Sequence, residues 1–417
     1  PIAAAALGAA VIEKHITLDR GMEGNDHKVS LLPDEFTQMI QGIRRVEESM
    51  GQGGERSISQ GEMMNREVLA KSLVAACDIP AGVEITEKMV RIQSPGQGLQ
   101  PNHLSDLIGK RLPISKTQGD VFFPSDLEQP AATPRRYQFK QPFGLPVRYH
   151  DIKIFSKVSN LDLVEIHLSY KDLEVNLDEV LPESQNIGLV IHAPELFAGD
   201  HTLDLCTDDD EYRKHSKNEL QRVLDISKDL RRRFRCQEPV LLVTNVGGFS
   251  EHRHLDRQER FPLQQRLIES LSQLNTSGEV EIIPQTMPPF PWHFGGQRFH
   301  NLFVDTDFIR SFCKELNMRV CLDVSHSKLA CNHLHISFRD FLDQILPFTA
   351  HLHLADAKDV DGEGLQIDDG EIDWVQLFLQ IQQHCPKASF IPEIWQGHKN
   401  GGEGAWLALE RLESAAA

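Results

Sequence analysis

The sequence predicts an α/β protein that ends in a (β/α)8 TIM barrel, and two observations support this fold class. Eight apolar runs after residue 143 are dense and non-alternating, as expected for parallel strands that helices cover. Helical patterns separate most of these runs, and roughly 250 residues is a typical length for such a barrel. A doubly wound open sheet is the competing fold, but no Gly-rich phosphate turn follows any of the runs. We place the strands near 145–149, 162–168, 187–192, 239–245, 279–285, 318–323, 350–354 and 389–393.

Two shorter regions precede the barrel. Residues 1–50 show an Ala-rich helix at 3–10, a strand at 11–18 and, after a polar loop, a helix from Pro33 to about Met50. A Gly-rich linker follows at 51–57.

Residues 68–128 predict a small β-rich unit, the second of these regions. It has a strand at 68–76, a turn with a short strand at 78–86 and a short helix around 102–108. Residues 129–142 are rich in Pro, Gln and Arg and read as an interdomain linker, so the barrel domain is placed at 143–417.

The composition excludes several classes of protein. The net charge of −18 disfavours a nucleic acid partner and an anionic membrane surface, because phosphate binding needs a basic face. No apolar run has the length of a membrane-spanning helix. The seven cysteines include no C-x-x-C pair and indicate reduced thiols, so we expect a cytoplasmic protein. Because the chain begins with Pro1 inside an Ala-rich segment, we expect it to be a fragment or trimmed chain that lacks N-terminal sequence.

Four of the barrel strands end in a side chain that can bind a metal ion. These are Gln285, Asp323, His353 and Glu393, separated by 38, 30 and 40 residues, which is the rhythm of successive βα units. The carboxyl ends of barrel strands converge on one mouth, so the four side chains are expected to meet. Carboxylates and imidazole are good ligands for hard or borderline divalent ions, whereas Gln285 offers only a neutral carbonyl oxygen.

Further polar and aromatic residues follow the same pattern. Glu165 and His192 end two earlier strands, and His326 lies three residues after Asp323, where it could bind substrate or a second metal. Trp292 and Trp395 could stack on a sugar, although packing in the core or at the rim explains them equally well. Any one of these residues alone is more often a cap or a satisfied polar group, so the prediction depends on their shared position at strand ends.

The barrel region resembles the xylose isomerase-like superfamily, which includes sugar isomerases, epimerases and endonuclease IV-type DNA repair enzymes. The matching runs are His-Ala-Pro at 192–194, Asp-Val-Ser-His at 323–326, His-Leu-His-Leu-Ala-Asp at 351–356 and Pro-Glu-Ile-Trp at 392–395. The resemblance implies a divalent metal (Mn, Mg or Zn) held by Asp323, His353 and Glu393. It also implies that His326 and His192 line the site.

The chain departs from this superfamily at three places. Gln285 replaces the usual metal-bridging Glu, Asn245 replaces a metal-binding His of the repair enzymes, and the run from Asp361 to Glu363 replaces their Asp-x-His. The resemblance then favours a single metal that assists proton abstraction beside a carbonyl. Either Glu393 or Glu165 would act as the base, and the sequence leaves that choice open. His326 is a third candidate catalytic residue.

Residues 1–128 resemble the sialic acid (N-acetylneuraminate) synthase family. The motifs include Glu-Lys-His-Ile-Thr-Leu-Asp at 13–19, Asn-Asp-His-Lys at 25–28 and Ser-Pro-Gly-Gln-Gly-Leu at 94–99. The resemblance makes 1–50 the end of a synthase barrel and 68–128 an antifreeze-like (SAF) domain. It implies condensation of phosphoenolpyruvate with an N-acetylated hexosamine, with His15 as a metal ligand and Asp26 near the substrate. The family's Arg-Pro-Gly run has Ser94 here.

We therefore interpret the chain as part of a bifunctional enzyme of sialic-type (nonulosonic) acid biosynthesis. The expected ligands are a sugar and, in the intact protein, phosphoenolpyruvate, and the SAF domain's family role suggests a homodimer. Since most of the synthase barrel is absent, we expect this chain alone not to make a sialic acid. Two alternatives for the barrel remain: an endonuclease IV-like metal phosphodiesterase, and a non-catalytic sugar-binding module.

Overall fold

The computed structural model describes residues 1–51, 58, 60–128, 132–236, 238–293 and 296–417. The chain forms two compact units, 1–58 and 59–417. Most of the predicted linker at 51–57 and the start of the one at 129–142 lie outside the described residues. The domain limits at 50, 68, 128 and 143 stay predictions. No helix in the described ranges is long and apolar enough to cross a membrane.

The first unit has two helices, α1 (Ile2–Ala6) and α2 (Pro33–Met50), and a short 3-10 turn before α2. Helix α2 begins as predicted, with Pro33 in its first turn and Glu35 accepting a hydrogen bond from the Leu32 backbone N–H at 2.8 Å. The predicted strand at 11–18 is wrong. This segment makes only one parallel bridge, from Ile16 to Leu31, because no described strand of this unit lies beside it to complete a ladder.

The second unit starts with a small β-rich region. Helix α3 (Gln60–Leu69) leads into the antiparallel pair β1 (Ser72–Ala75) and β2 (Val90–Gln93), and a one-turn helix α4 (Leu104–Leu107) follows. The prediction of a strand from 68 is corrected, since 68 and 69 end α3. The predicted strand at 78–86 is two isolated bridges instead. The core of this region is the set Leu73, Ala75, Ile79, Ile85, Leu99, Leu107, Leu112 and Phe122.

Eight parallel strands form the barrel, and the predicted fold class is confirmed. The strands are β3 (Gly144–Val147), β4 (Leu163–His167), β5 (Gly188–His192), β8 (Val240–Thr244), β10 (Val280–Pro284), β14 (Val320–Asp323), β15 (Thr349–Leu354) and β18 (Ser389–Pro392). The first five of them pair side by side from β10 back to β3, and the other three pair as β14, β15 and β18. Parallel bridges from Gln285 to Cys321 and from Phe143 to Phe390 join the two groups at both edges, which closes the barrel.

Helices cover the outside of the barrel and short hairpins extend its loops. The helices are α5 (Ile152–Val158), α6 (Leu177–Val180), α7 (Asp210–Arg231), α8 (Arg257–Ser272), α9 (Thr306–Leu316), α10 (Val324–Leu334), α11 (Phe338–Ile345), α12 (Trp374–His384) and α13 (Lys399–Ala416). The short strands are β6 (Leu196–Phe197), β7 (His201–Thr202), β9 (Phe249–Ser250), β11 (Trp292–His293), β12 (Gly296–Gln297), β13 (Phe299–His300), β16 (Asp356–Lys358) and β17 (Gly362–Leu365).

The alternation of side chains along each strand places the candidate site. Seven buried residues pack together as one cluster, and each comes from a different barrel strand. Side chains on one face of a strand recur every two residues. Two positions after the cluster residue on β10, β14 and β18, the inward-facing residues are therefore Gln285, Asp323 and Glu393. The barrel therefore has an apolar layer directly beneath a polar one. The apolar cluster contains Leu163, Val190, Val243, Ile283, Cys321, Ala350 and Ile391.

Strands β3 and β4 approach so closely that Gly144 has no space for a side chain. A Cβ at Gly144 would lie 2.3 Å from the backbone oxygen of Leu163. We expect Gly144→Ala to force the two strands apart and to lower the free energy of unfolding by about 1–3 kcal/mol, as overpacking does. Urea unfolding measures this loss. Gly188→Ala, whose nearest contact would be 3.0 Å, should lose less, and an equal effect of both would contradict the steric argument.

Candidate metal centre at the mouth of the barrel

The four residues predicted at strand ends lie together. Asp323 is the last residue of β14 and pairs in register with His353 of the neighbouring β15. Gln285 follows β10 and bridges to Cys321 on β14. Glu393 follows β18, and its backbone N–H donates to the oxygen of Leu354 at 3.0 Å. Parallel strands with aligned ends thus bring four side chains from distant parts of the chain to one point.

The distances within this group suit a single cation. One ligand atom from each of Asp323, His353 and Glu393 lies within 4.8 Å of the others. The Nδ1 atom of His353 is 2.6 Å from Glu393 Oε2 and 3.8 Å from Asp323 Oδ2. The amide nitrogen of Gln285 is 3.1 Å from both Asp323 Oδ2 and His353 Nδ1. A half-turn of this amide would bring its oxygen into the same space, so Gln285 can serve as a neutral fourth ligand.

The electrostatics also fit a cation. Burial raises the pKa of Asp323 to about 6, and the neighbouring Glu393 carboxylate adds to the increase although His326 opposes it. Burial alone would raise the pKa of Glu393 too, but the charge and hydrogen bond of His353 outweigh it and hold that pKa below its usual range. Two carboxylates that share a largely buried site repel each other, and a divalent ion would relieve this repulsion. The oxygen and nitrogen donor set suits Mn, Mg or Zn.

Glu165 lies beneath this group and is fully buried. Its oxygens are 2.7 Å from His351 Nε2, 2.9 Å from His167 Nε2 and 3.1 Å from His353 Nε2. It is not among the residues that line the cavity, which corrects the alternative in which Glu165 reaches the substrate. The carboxylate instead holds the far nitrogen of His353, so that Nδ1 points at Asp323 and Glu393. Such a carboxylate–histidine pair fixes the ring orientation of a metal ligand.

His351 and His167 are site residues that the sequence analysis missed. His351 is completely buried, with Nδ1 2.7 Å from Ser389 Oγ and Nε2 on Glu165. His167 ends β4 and stacks on His192 with ring centroids 4.7 Å apart. The sequence contained a signal for both residues: His167 lies two positions after Glu165, and His351 lies two positions before His353. A two-residue spacing places each pair on the same face of a strand.

His326 and His192 line the cavity beside this group, and their predicted roles stay predictions. His326 Nε2 is 3.1 Å from Glu363 Oε1, and Nδ1 is 3.0 Å from the Thr286 backbone oxygen. Burial would lower the pKa of His326, but the carboxylates of Asp323 and Glu363 raise the pKa to about 10, so the ring is cationic at neutral pH. Burial lowers the pKa of His192, whose Nε2 lies 3.3 Å from Gln285 Oε1.

A cavity of about 490 Å³ opens above these residues. Asp323, His326, Glu393 and Trp395 all line it, so one indole is placed where a sugar ring could stack. The side chain of Trp292 lies outside the described part of the structure, and its predicted role stays a prediction.

The two predicted synthase residues belong to the first unit. His15 and Asp26 have exposed side chains, with relative accessibilities of 53% and 79%, and His15 Nδ1 is 4.0 Å from Asp26 Oδ2. They form no part of the group around Asp323, and their roles in metal and substrate binding stay predictions.

Restoring a carboxylate at Gln285 tests the proposed cation position. We expect Gln285→Glu to bind Mn²⁺ several-fold more tightly, because a charged carboxylate oxygen would occupy the place of the amide nitrogen that lies 3.1 Å from Asp323 and His353. Without metal the variant should unfold at a lower temperature, since a third carboxylate then adds repulsion. Titration monitored by electron paramagnetic resonance measures the affinity, and Gln141→Glu is a control at a buried glutamine elsewhere. Equal affinity in wild type and Gln285→Glu would contradict the assignment.

Comparison with known families divides the chain into three parts. Residues 1–55 match the NeuB family, 70–128 match the SAF domain and 157–414 match the xylose isomerase-like TIM barrel.

Two curated sequence relatives are synthases that match the N-terminal part of the chain. N,N'-diacetyllegionaminic acid synthase of Legionella pneumophila is 32% identical over 128 residues, which is 31% of this chain and 36% of that protein. Pseudaminic acid synthase of Campylobacter jejuni is 39% identical over 126 residues, 30% of this chain and 36% of that protein. The chain thus spans about a third of the length of these curated relatives.

Among solved structures, a D-tagatose 3-epimerase-like protein aligns with a TM-score of 0.47 and 17% identity, over 66% of this chain and all of that one. The family match over 157–414 covers more than half of the chain. The chain therefore belongs to the xylose isomerase-like TIM barrel family, and it carries NeuB-family and SAF segments ahead of that barrel.

Proposed function

We propose that the barrel is a sugar isomerase or epimerase that depends on a divalent metal. The observation that supports this most directly is the convergence of ligand atoms of Asp323, His353 and Glu393 within 4.8 Å, because two of these residues, Asp323 and Glu393, line a sugar-sized cavity. Trp395 on the wall of the same cavity provides a stacking surface for a sugar ring.

In this proposal Asp323, His353 and Glu393 hold the ion, with Gln285 as a neutral fourth ligand. The bound ion supplies a Lewis acid that polarises a sugar carbonyl and its neighbouring hydroxyl. Glu393 is the candidate base, because its side chain is 32% accessible and the residue lines the cavity, whereas the alternative candidate, Glu165, is fully buried and does not line it. With a lowered pKa, Glu393 is ionised at neutral pH and can accept the proton on the carbon beside the carbonyl.

The other residues of the site would position the ligand His353 or stabilise the bound sugar. Glu165 fixes the ring of His353, and the cationic His326 places a positive charge beside Asp323, where negative charge would develop on a substrate oxygen. His192 presents a neutral ring at the cavity wall and can hydrogen-bond a hydroxyl.

We propose further that the intact protein is bifunctional. The relatives of its first 128 residues are synthases of nonulosonic acids, so the NeuB and SAF segments suggest phosphoenolpyruvate-dependent condensation with an N-acetylated hexosamine. The fused barrel would then act on a precursor or product of that condensation, an inference by association alone. The proposed homodimer is checked by light scattering after size-exclusion chromatography.

Solvent deuterium tests the barrel's activity. The protein is incubated in D2O with Mn²⁺ and a panel of N-acetylhexosamines and nonulosonic acids, and NMR detects exchange. We expect exchange at one carbon beside a carbonyl of one sugar, which identifies substrate and reaction class together. Failure of every sugar to exchange, in a protein shown to bind Mn²⁺, would count against the proposed function.

A further inference from the structure

Helix α3 contributes to the wall of the barrel's cavity although it precedes the SAF domain. Met64 and Glu67 of α3 line the cavity together with Asp323, Glu393 and Trp395. In sequence, α3 lies more than 250 positions before Asp323 and Glu393. All of them belong to the same compact unit, 59–417. The barrel's own loops are therefore not the whole wall of its cavity.

An ion pair joins α3 to the start of helix α13, which follows the candidate base in sequence. Glu67 Oε1 is 2.7 Å from Lys399 Nζ, and the two side chains are only 24% and 14% accessible. Lys399 begins α13, six residues after Glu393. Because the pair is partly shielded from water, its attraction is screened less than that of an exposed pair. The pair thus holds α3 against the segment that carries Glu393 and Trp395.

The C-terminal end of α3 also contacts the SAF domain. The backbone N–H of Gly96 donates to the oxygen of Glu67 at 3.1 Å. A Cβ at Gly96 would lie 2.2 Å from the oxygen of Arg66, so only glycine allows this approach. The helix is therefore held between the SAF loop and the barrel.

A second contact joins the SAF domain to the start of α13. Ser125 Oγ donates to Glu403 Oε2 at 2.8 Å, and the Asn400 side-chain amide donates to Ser125 Oγ at 2.8 Å. Asn400 and the two glycines that follow it have φ between 50° and 83°, so the backbone turns at the start of α13. The side chains of Asn400 and Glu403 contact Ser125 at this turn. The segment after Glu393 is consequently tied at two points, to α3 through Lys399 and to the SAF domain through Asn400.

We propose that helix α3 is a fixed wall of the barrel's sugar cavity, held by the Glu67–Lys399 pair, and that Met64 and Glu67 help to select the sugar. The barrel's substrate selection then depends on a segment that lies between the NeuB and SAF regions in sequence. The selective role rests on the proposed function, whereas the closure of the cavity by α3 does not.

Charge reversal in a cysteine-probe background tests the closure without any substrate. Ala355 is buried and lines the cavity, so Ala355→Cys provides the background, and alkylation of the introduced thiol by N-ethylmaleimide is followed by peptide mass spectrometry. Glu67→Lys and Lys399→Glu should each speed alkylation at position 355 several-fold, since like charges push α3 away. The double reversal, Glu67→Lys with Lys399→Glu, restores the attraction and should return the rate toward that of the background.

The matched control is Glu281→Lys, which breaks a pair with Arg319 at the opposite ends of the barrel strands and should leave the rate unchanged. Unchanged alkylation in both single reversals would overturn the proposal. With a sugar identified by deuterium exchange, Met64→Ala and the single reversals should raise the apparent KM more than they lower kcat. Faster alkylation with an unchanged KM would overturn the selective role. A protein that exchanges no sugar counts against the proposed function alone. The alkylation rates still test whether α3 closes one side of the cavity.

Discussion

The Asp323→Ala, Glu393→Ala double variant is expected to lose its bound divalent ion while the barrel stays folded. The two carboxylates supply the negative charge of the site, and His353 and the neutral Gln285 alone are a poor ligand set for Mn²⁺. Deuterium exchange into the sugar should fall by at least about 10²–10⁴-fold, the usual contribution of a general base, because Glu393 is also removed. Metal analysis after dialysis against Mn²⁺ measures the first effect and NMR the second.

Glu363→Gln is the matched control for this double variant. Glu363 lines the same cavity and pairs with His326, but it is not in the group around His353. It should keep nearly stoichiometric metal. Circular dichroism confirms that both proteins fold. If the double variant and wild type contained the same amount of metal, the metal-dependent account of the barrel would be refuted.

Of the proposed substitutions, Glu165→Ala is expected to lower the free energy of unfolding the most. Glu165 is completely buried and carries hydrogen bonds or ion pairs to three imidazoles, His167, His351 and His353. Burial would raise its pKa, but these partners lower the pKa well below the usual range, so the carboxylate is charged in the folded protein. Removing one partner of a buried charged network typically costs about 3–5 kcal/mol, and urea unfolding should show a loss of this size.

Two further variants show whether this loss comes from the buried charge. Glu165→Gln keeps the shape and some hydrogen bonds, so it should be less destabilised than Glu165→Ala. Glu281→Gln removes a carboxylate from a partly exposed pair with Arg319 and should cost less than Glu165→Ala, about 1 kcal/mol. Glu165→Gln should also weaken Mn²⁺ binding by about 10–100-fold, as loss of an orienting carboxylate does. Unaltered metal affinity in this variant would contradict the orienting role of Glu165.

The barrel and the positions of its candidate ligands were predictable from sequence. All eight strands lie close to the predicted ranges, because buried parallel strands have dense apolar runs that helical patterns separate. Gln285, Asp323, His353 and Glu393 each lie at or beside a strand's carboxyl end, and barrel geometry brings such residues together. Local pattern and a general rule of the fold were sufficient here.

Local pattern was not sufficient in the segment at 11–18. Its apolar residues predict a strand, but a strand exists only when a neighbouring backbone completes the hydrogen bonds, and Ile16 finds one bridge partner, Leu31. The same reason explains 78–86, where the backbone pairs at isolated points with 111 and 116.

By itself, the sequence predicted the barrel and the side chains at its strand ends from periodicity along the chain, and it indicated the family through the resemblance of short motifs. Only the tertiary structure decided that Glu165 lies beneath His353 instead of facing the cavity. Inward-facing residues of every layer in the barrel recur at the same two-residue spacing, so the sequence pattern does not tell which layer a residue occupies. The placement of α3 beside Lys399 was likewise decided by packing between residues far apart in sequence, which no local pattern encodes.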